Sequence, residues 1–376
     1  MSEPLECLYL LVAGDCNLRC SYCYADGGAY GRSTEAMSQA TMEAALTRLM
    51  PRNGELMLSF FGGEPMLNCR LIRQAIAFAQ DRGQRLGTTV RFAMTTNGTV
   101  LDDDGLDLLR QHFSHVAVSL DGSRAATNHG RRFLQGDGDV YGRIRHNLER
   151  LRRAGISYSL RGTVAEERAG EVASSVRHLA ALGATCWRIE PAAGRRWQKE
   201  AWRRFGDGMA ELGRDSREAL LQGGPMLLPG DIYRAAAHRL QDRRQHFPCP
   251  AGQRMLAVST NGDVFPCHQF VAHAEARLGN VHDPLPADFT ATDLARSLAG
   301  NAVENRPRCR TCTIRHLCGG QCPVHCLSQS GDLARPSADY CALQHRLLTP
   351  TLRFVDQLLS SQEGKSRLRH LLGDGT

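Results

Sequence analysis

An α/β fold built on a parallel sheet is predicted by three observations. Six short apolar runs, CLYLLVAG, LMLSFF, VRFAMTT, HVAVSL, YSLRGTV and CWRIEP, recur between residue 6 and about residue 190, each bounded by Gly, Asn or Pro as strands are. Between them lie stretches near 39–50, 69–86, 103–112, 140–154 and 171–183 whose apolar residues fall at helical spacing. The two kinds of segment alternate, which calls for parallel strands joined by right-handed crossovers and hence a wound sheet or a barrel.

In chain order, the first run is followed by Cys16, Cys20 and Cys23, and the second ends in GGEP, Gly62 to Pro65. The third ends in TTNG, Thr95 to Gly98, the fourth closes on SLDG, Ser119 to Gly122, and the fifth carries Arg161. Barrels and open sheets place their sites at the carboxyl ends of strands, so these motifs face one mouth. Residues 195–248 read as two polar, arginine-rich helices split by GGPMLLPG. From Cys249 the texture changes to loops and cysteines, with a hairpin signal at Asn261-Gly262, and after about residue 342 a helical tail follows. The expected segments are a core at 1–195, a helical bridge at 196–248, a cysteine-rich domain at 249–345 and a tail at 346–376.

The length of 376 residues allows two to three domains, and 42% hydrophobic with 23% charged residues describes an ordinary globular chain. The net charge of +7 comes mostly from arginines scattered along helices, such as Arg143, Arg145, Arg150, Arg152 and Arg153. That is a solvated helix face, and with 6% aromatic residues it argues against nucleic-acid binding. No charged leader and no long apolar span are visible, so no membrane partner is expected and the address is cytoplasmic. In a reducing compartment fourteen cysteines point to metal ligation rather than disulfides.

Cys16, Cys20 and Cys23 stand in the spacing C-x3-C-x2-C. Three thiolates hold three irons of a cubane cluster and leave the fourth for a group that is not protein, an arrangement suited to catalysis; half a zinc site or ordinary thiols are the alternatives. CNLRCSYC resembles the signature of the radical S-adenosylmethionine (SAM) superfamily. The resemblance implies a partial (β/α)6 barrel, SAM chelated to the open iron, and reductive cleavage of SAM to a 5'-deoxyadenosyl radical, with Cys16, Cys20 and Cys23 as the catalytic cluster ligands. It also implies SAM contacts: Glu64 for the amino group, with Gly62 and Gly63 admitting the ligand to the backbone; Thr96, Asn97 and Ser119 for ribose and carboxylate; Arg161 for the carboxylate; and Tyr22 against adenine. Asp121 is a candidate base, or the cap of a turn.

The later cysteines follow C-x12-G-x4-C, then C-x2-C-x5-C-x3-C, then a last cysteine. This order resembles the SPASM domain, an extension of some radical SAM enzymes that holds two auxiliary clusters. The resemblance implies three [4Fe-4S] clusters in all, with Cys309, Cys312, Cys318 and Cys341 on the distal auxiliary cluster and Cys249, Cys267 and Cys322 on the proximal one. Where some relatives supply a fourth proximal cysteine this chain has Met255, which leaves an open iron or a ligand from Cys326, His268 or His325. Cys7, Cys69 and Cys186 read as structural.

CYADGGAYG, FFGGEPMLN, SLDG and YSLRGTV resemble most the maturases of ribosomal peptides that form thioether or C–C crosslinks. That implies a peptide substrate, an electron donor such as flavodoxin or ferredoxin, and, since fifteen residues precede Cys16, a separate peptide-recognition protein or a leaderless substrate. Oxidation, epimerisation or rearrangement of a sugar or nucleoside, and oxidation of a Cys or Ser as in sulfatase maturases, are the alternatives. A non-catalytic iron-sulfur carrier would need no GGEP turn.

Overall fold

The computed structural model describes residues 4–32, 34–193, 197–247, 249–286 and 288–373. They form two compact units, each discontinuous in sequence: residues 1–163, 178–193 and 250–299 make the first, and 164–177, 194–249 and 300–376 the second. The four contiguous segments expected from sequence are therefore distributed over two units.

The first unit is a single sheet. Strands β1 (Cys7–Ala13), β2 (Gly54–Gly62), β3 (Thr88–Thr96), β4 (His115–Ser119), β5 (Ser157–Val164) and β6 (Cys186–Pro191) are the six expected runs. Helices α1 (Gln39–Leu49), α2 (Cys69–Leu86), α3 (Asp103–His112), α4 (Arg124–Gly130) and α5 (Val140–Arg153) fall between them, and α6 (Val172–Ala180), which lies between β5 and β6 in the chain, belongs for the most part to the second unit. Neighbouring strands from β1 to β5 pair in parallel. The alternation is physical: Leu8, Leu10 and Val12 of β1 and Leu56, Leu58 and Phe60 of β2 are fully buried with Ile72 and Ala75 of α2. Each such side chain contributes about 1.5–3 kcal/mol. The alternate positions Tyr9, Ser59, Phe61, Ser119 and Arg161 fall on the other face of the sheet, because strand side chains alternate with period two.

The sheet continues where sequence reading ended it. β7 (Met255–Val258) pairs in parallel with β1, Cys7 opposite Met255 and Leu10 opposite Val258. β7, β8 (Asp263–Phe265) and β9 (Gly279–Asn280) then run antiparallel, giving the order β6-β5-β4-β3-β2-β1-β7-β8-β9. The hairpin expected at Asn261-Gly262 is present, with Gly262 at φ +89° supplying the turn. α9 (Asp293–Ala299) completes this unit.

The second unit is helical. α7 (Lys199–Gln222) and α8 (Pro229–Leu240) are the two expected bridge helices, followed by α10 (Arg315–Cys318), α11 (Pro323–Ser330), α12 (Ala338–Leu358) and α13 (Gln362–Leu372). Ser337 and Ser361 cap α12 and α13 through their hydroxyls.

Candidate active site and cluster sites

In the first unit, the loop after β1 is tied down by backbone hydrogen bonds to the segment after α4: Arg19 donates to Arg132, Ser21 to Gly130, and Leu134 to Asn17. Cys16, Cys20 and Cys23 lie on this loop, Cys23 exposed and the other two half-buried. Amide hydrogens point at the sulfurs. Leu18 N–H donates to Cys16 Sγ at 3.4 Å, Gly27 N–H to Cys23 Sγ at 3.3 Å, and Asn97 Nδ2 to Cys16 Sγ at 3.5 Å. Such donors stabilise thiolates and tune iron-sulfur clusters. Burial pushes the free Cys20 thiol up to about 11, with Arg131 opposing the rise; a cation of higher charge must therefore displace the proton.

GGEP packs directly on that loop. Gly63 donates to Ala13 O and Glu64 to Asp15 O, both at 2.9 Å. A Cβ on Gly63 would lie 1.8 Å from Asp15 O, and one on Gly28 would lie 2.5 Å from the Gly63 Cα. Gly62 has φ +131°, so both glycines of the motif are required by geometry. Glu64 is fully buried and makes no ion pair among the described residues, the Arg131 charge reaching it only at a distance. Its carboxylate accepts from Thr96 Oγ1 at 2.7 Å, Asn97 N at 2.6 Å and Met66 N at 3.0 Å. Burial raises it to about 7 against these three donors. Thr96 and Asn97, expected as separate SAM contacts, thus converge on Glu64, and Asn97 links that carboxylate to Cys16. Ser119 and Arg161 are cross-strand partners in the β4–β5 register.

In the second unit, Cys309, Cys312, Cys318 and Cys341 are electrostatic neighbours: burial first, and then Cys309, Cys318 and Cys312, raise the Cys341 thiol to about 11. Arg306 is buried beside them and makes no ion pair with a carboxylate among the described residues. Its Nε donates to Asn301 Oδ1 at 2.7 Å, Nη1 to Gln321 O at 2.9 Å and Nη2 to Leu333 O at 3.3 Å. Its charge opposes the burial that raises Cys309. A buried cation held by three carbonyl oxygens and reaching the Cys309 thiol suits thiolates on a cluster. Among the described residues, no three cysteine sulfurs lie within 4.8 Å of one another, wider than the edge of about 3.8 Å of a tetrahedral zinc-thiolate site.

The radical SAM superfamily pattern matches residues 10–165, and the iron-sulfur cluster-binding SPASM domain matches 249–313. The chain is a radical SAM/SPASM enzyme. It is 25% identical to a serine-type anaerobic sulfatase-maturating enzyme of Klebsiella aerogenes over 86% of this chain and 80% of that protein. The solved structure of anSMEcpe with bound AdoMet superposes with TM-score 0.80 at 18% identity, covering 99% of this chain and 98% of that one. Streptococcus suis SuiB bound to its precursor peptide SuiA gives TM-score 0.60 at 14% identity, over 90% and 76%.

Three expectations for this radical SAM/SPASM enzyme meet different surroundings from those foreseen. Asp121, the candidate base, is buried, accepts from Arg131 Nε at 3.0 Å, Arg131 Nη2 at 2.9 Å and Thr163 N at 2.9 Å, and takes the Tyr22 hydroxyl hydrogen. Tyr22 is spent on protein, its ring against Gly130 and 5.7 Å from the Arg131 guanidinium. Cys326 is a buried thiol raised to about 12 by burial, pointing its hydrogen at Gln321 O and Oε1. Cys249 and Cys322 belong to the second unit and Cys267 to the first. Sequence reading missed Arg131 and Arg306, which sit in ordinary arginine-rich stretches, GRRF and NRPR, with no periodicity to single them out. Among the described residues no helix is long and apolar enough to cross a membrane.

Proposed function

We propose that this enzyme oxidises a serine or cysteine side chain of a peptide or protein substrate, rather than forming the crosslink that its short motifs suggested. The observation that carries this reading is the similarity to a serine-type sulfatase-maturating enzyme along 86% of the chain. A crosslinking maturase is the second reading, favoured by the CYADGGAYG and YSLRGTV motifs.

In either case Cys16, Cys20 and Cys23 hold a [4Fe-4S] cluster, Cys309, Cys312, Cys318 and Cys341 a second, and Cys249, Cys267 and Cys322 a third. Bound together, the first cluster and SAM supply a 5'-deoxyadenosyl radical. Glu64 receives the SAM ammonium: Thr96, Asn97 and Met66 hold its carboxylate in place, so a cation meets an oriented partner and draws the buried group to its ionised form. Arg161 and Ser119, side by side on β5 and β4, bind the SAM carboxylate. The Asp121–Arg131 pair keeps the cysteine loop and the end of β4 in register. A flavodoxin or ferredoxin supplies the electron.

The test is anaerobic turnover of the reconstituted enzyme with SAM, a reductant and peptides carrying a single Ser or Cys. Formation of 5'-deoxyadenosine with an aldehyde trapped by a hydrazide is the expected result. Loss of two hydrogens without an aldehyde would move the assignment to crosslinking, and peptides left unchanged beside consumed SAM would return it to a small molecule.

A further inference from the structure

The second unit contains a cavity of about 290 Å3 between α7, α8 and α12 that the chemistry above does not use. Its lining includes the apolar Leu228, Ile232, Leu347 and Pro350 and the basic Arg214, Arg217 and Arg346. Arg214 and Arg217 stand three residues apart on α7, hence on one face, where like charges repel. Burial and then the Arg214 charge hold the Arg217 guanidinium below its usual value.

Other charges on α7 are paired. Arg203 pairs with Glu200 and Asp207, and Arg177 spans Glu211 and Asp215. Arg214 and Arg217 make no ion pair among the described residues; Glu218 softens the Arg217 charge only from a distance. The remaining polar groups are committed. Arg346 Nη2 is on Asp207 at 2.5 Å, and Asp231, the one carboxylate lining the cavity among the described residues, is held by Arg234 at 2.5 Å. The Ser216 hydroxyl donates to Leu212 O and accepts from Leu227 and Leu228 N–H. Two guanidiniums without an ion pair among the described residues therefore line the cavity together with apolar side chains.

We propose that this cavity binds a carboxylate carried on an apolar body, with Arg214 and Arg217 gripping the carboxylate and the body lying on Leu228, Ile232 and Leu347. A bare inorganic anion would leave the apolar side chains uncovered, and a neutral apolar molecule would leave the two cations unmatched. A medium-chain fatty acid and a glutamate beside a leucine in a peptide share this chemistry. The inference is independent of which radical reaction the enzyme performs.

Titration calorimetry on the anaerobic holoenzyme, with octanoate and with N-acetyl-Leu-Glu-amide, tests it; 1-octanol and inorganic phosphate are the controls. At least one carboxylate probe should bind at one site per chain, both controls should be silent, and the stronger probe identifies the source. Arg214→Gln and Arg217→Gln should each weaken binding by about tenfold, since a charge-assisted hydrogen bond is lost, while Arg110→Gln, on exposed α3, should not. Arg214 is exposed and Arg217 half-buried, and unchanged iron content and circular dichroism establish that the variants fold. The proposal is overturned if neither carboxylate probe binds, if phosphate binds as tightly as octanoate, or if binding survives both substitutions.

Discussion

The two thiol sites handle buried charge in opposite ways. In the first unit the nearby guanidinium, Arg131, is spent on Asp121 in a bidentate pair, so the cysteine loop receives little net positive charge and relies on amide hydrogens from Leu18, Gly27 and Asn97. In the second unit Arg306 makes no ion pair among the described residues and turns its charge on Cys309, while Arg234 faces Cys318 and Arg308 faces Cys341. A site with three thiols and a buried, partly protonated carboxylate is short of a ligand and of a cation. SAM brings both. A site with four thiols and its own cation is complete.

Cysteine substitutions test this contrast most severely. Cys20→Ala should abolish 5'-deoxyadenosine formation and remove about four of roughly twelve irons. Cys318→Ala should remove a similar amount of iron while leaving uncoupled SAM cleavage measurable by chromatography; equal loss of cleavage in both would erase the distinction. Next in size is Asp121→Ala, which strands Arg131 in the interior and should cost about 3–5 kcal/mol in urea unfolding.

Glu64 gives a pH signature of about 3 kcal/mol. Its folded value is raised from 4.5 to about 7, so its neutral form is the favoured one without a cation. Stability from this group is fully present below about pH 4.5 and is lost as pH rises through about 7. Glu64→Gln should flatten that part of the stability-versus-pH curve, and SAM should stabilise wild type but not the variant; parallel curves would show that Glu64 is not the buried acid. Arg306→Met is the smallest effect, about 1–3 kcal/mol for three carbonyls left without a donor, with a downward shift in the potential of the distal cluster measured by redox titration.

The strands and helices of the first unit were legible because each buries one face, and burial writes a period into the chain: Leu56, Leu58 and Phe60 alternate inward, and Leu71, Ile72, Ala75, Ile76 and Ala79 recur on α2. The cysteines and GGEP were legible because their chemistry requires fixed spacings. The pairing of β7 with β1 was not, since nothing local in Met255–Val258 says that its partner lies about 250 residues earlier. α4 is short and polar, RAATNHG, and is held by its Ser123 cap rather than by an apolar stripe. The roles of Arg131 and Arg306 depend on who faces them, a tertiary property that a dipeptide such as Arg131-Arg132 does not encode.

The contact between Gly63 and the loop of Asp15 and Gly28 has a consequence for engineering. No residue is smaller than glycine, so this joint has a single setting, and a methyl group on either side collides with main chain rather than with a movable side chain. The placement of the cysteine loop relative to Glu64 cannot be adjusted in small increments there. Altered substrate preference must instead be sought on the sheet face at Tyr9, Ser59 and Phe61, where side chains of graded size can be exchanged without touching Ser119 and Arg161.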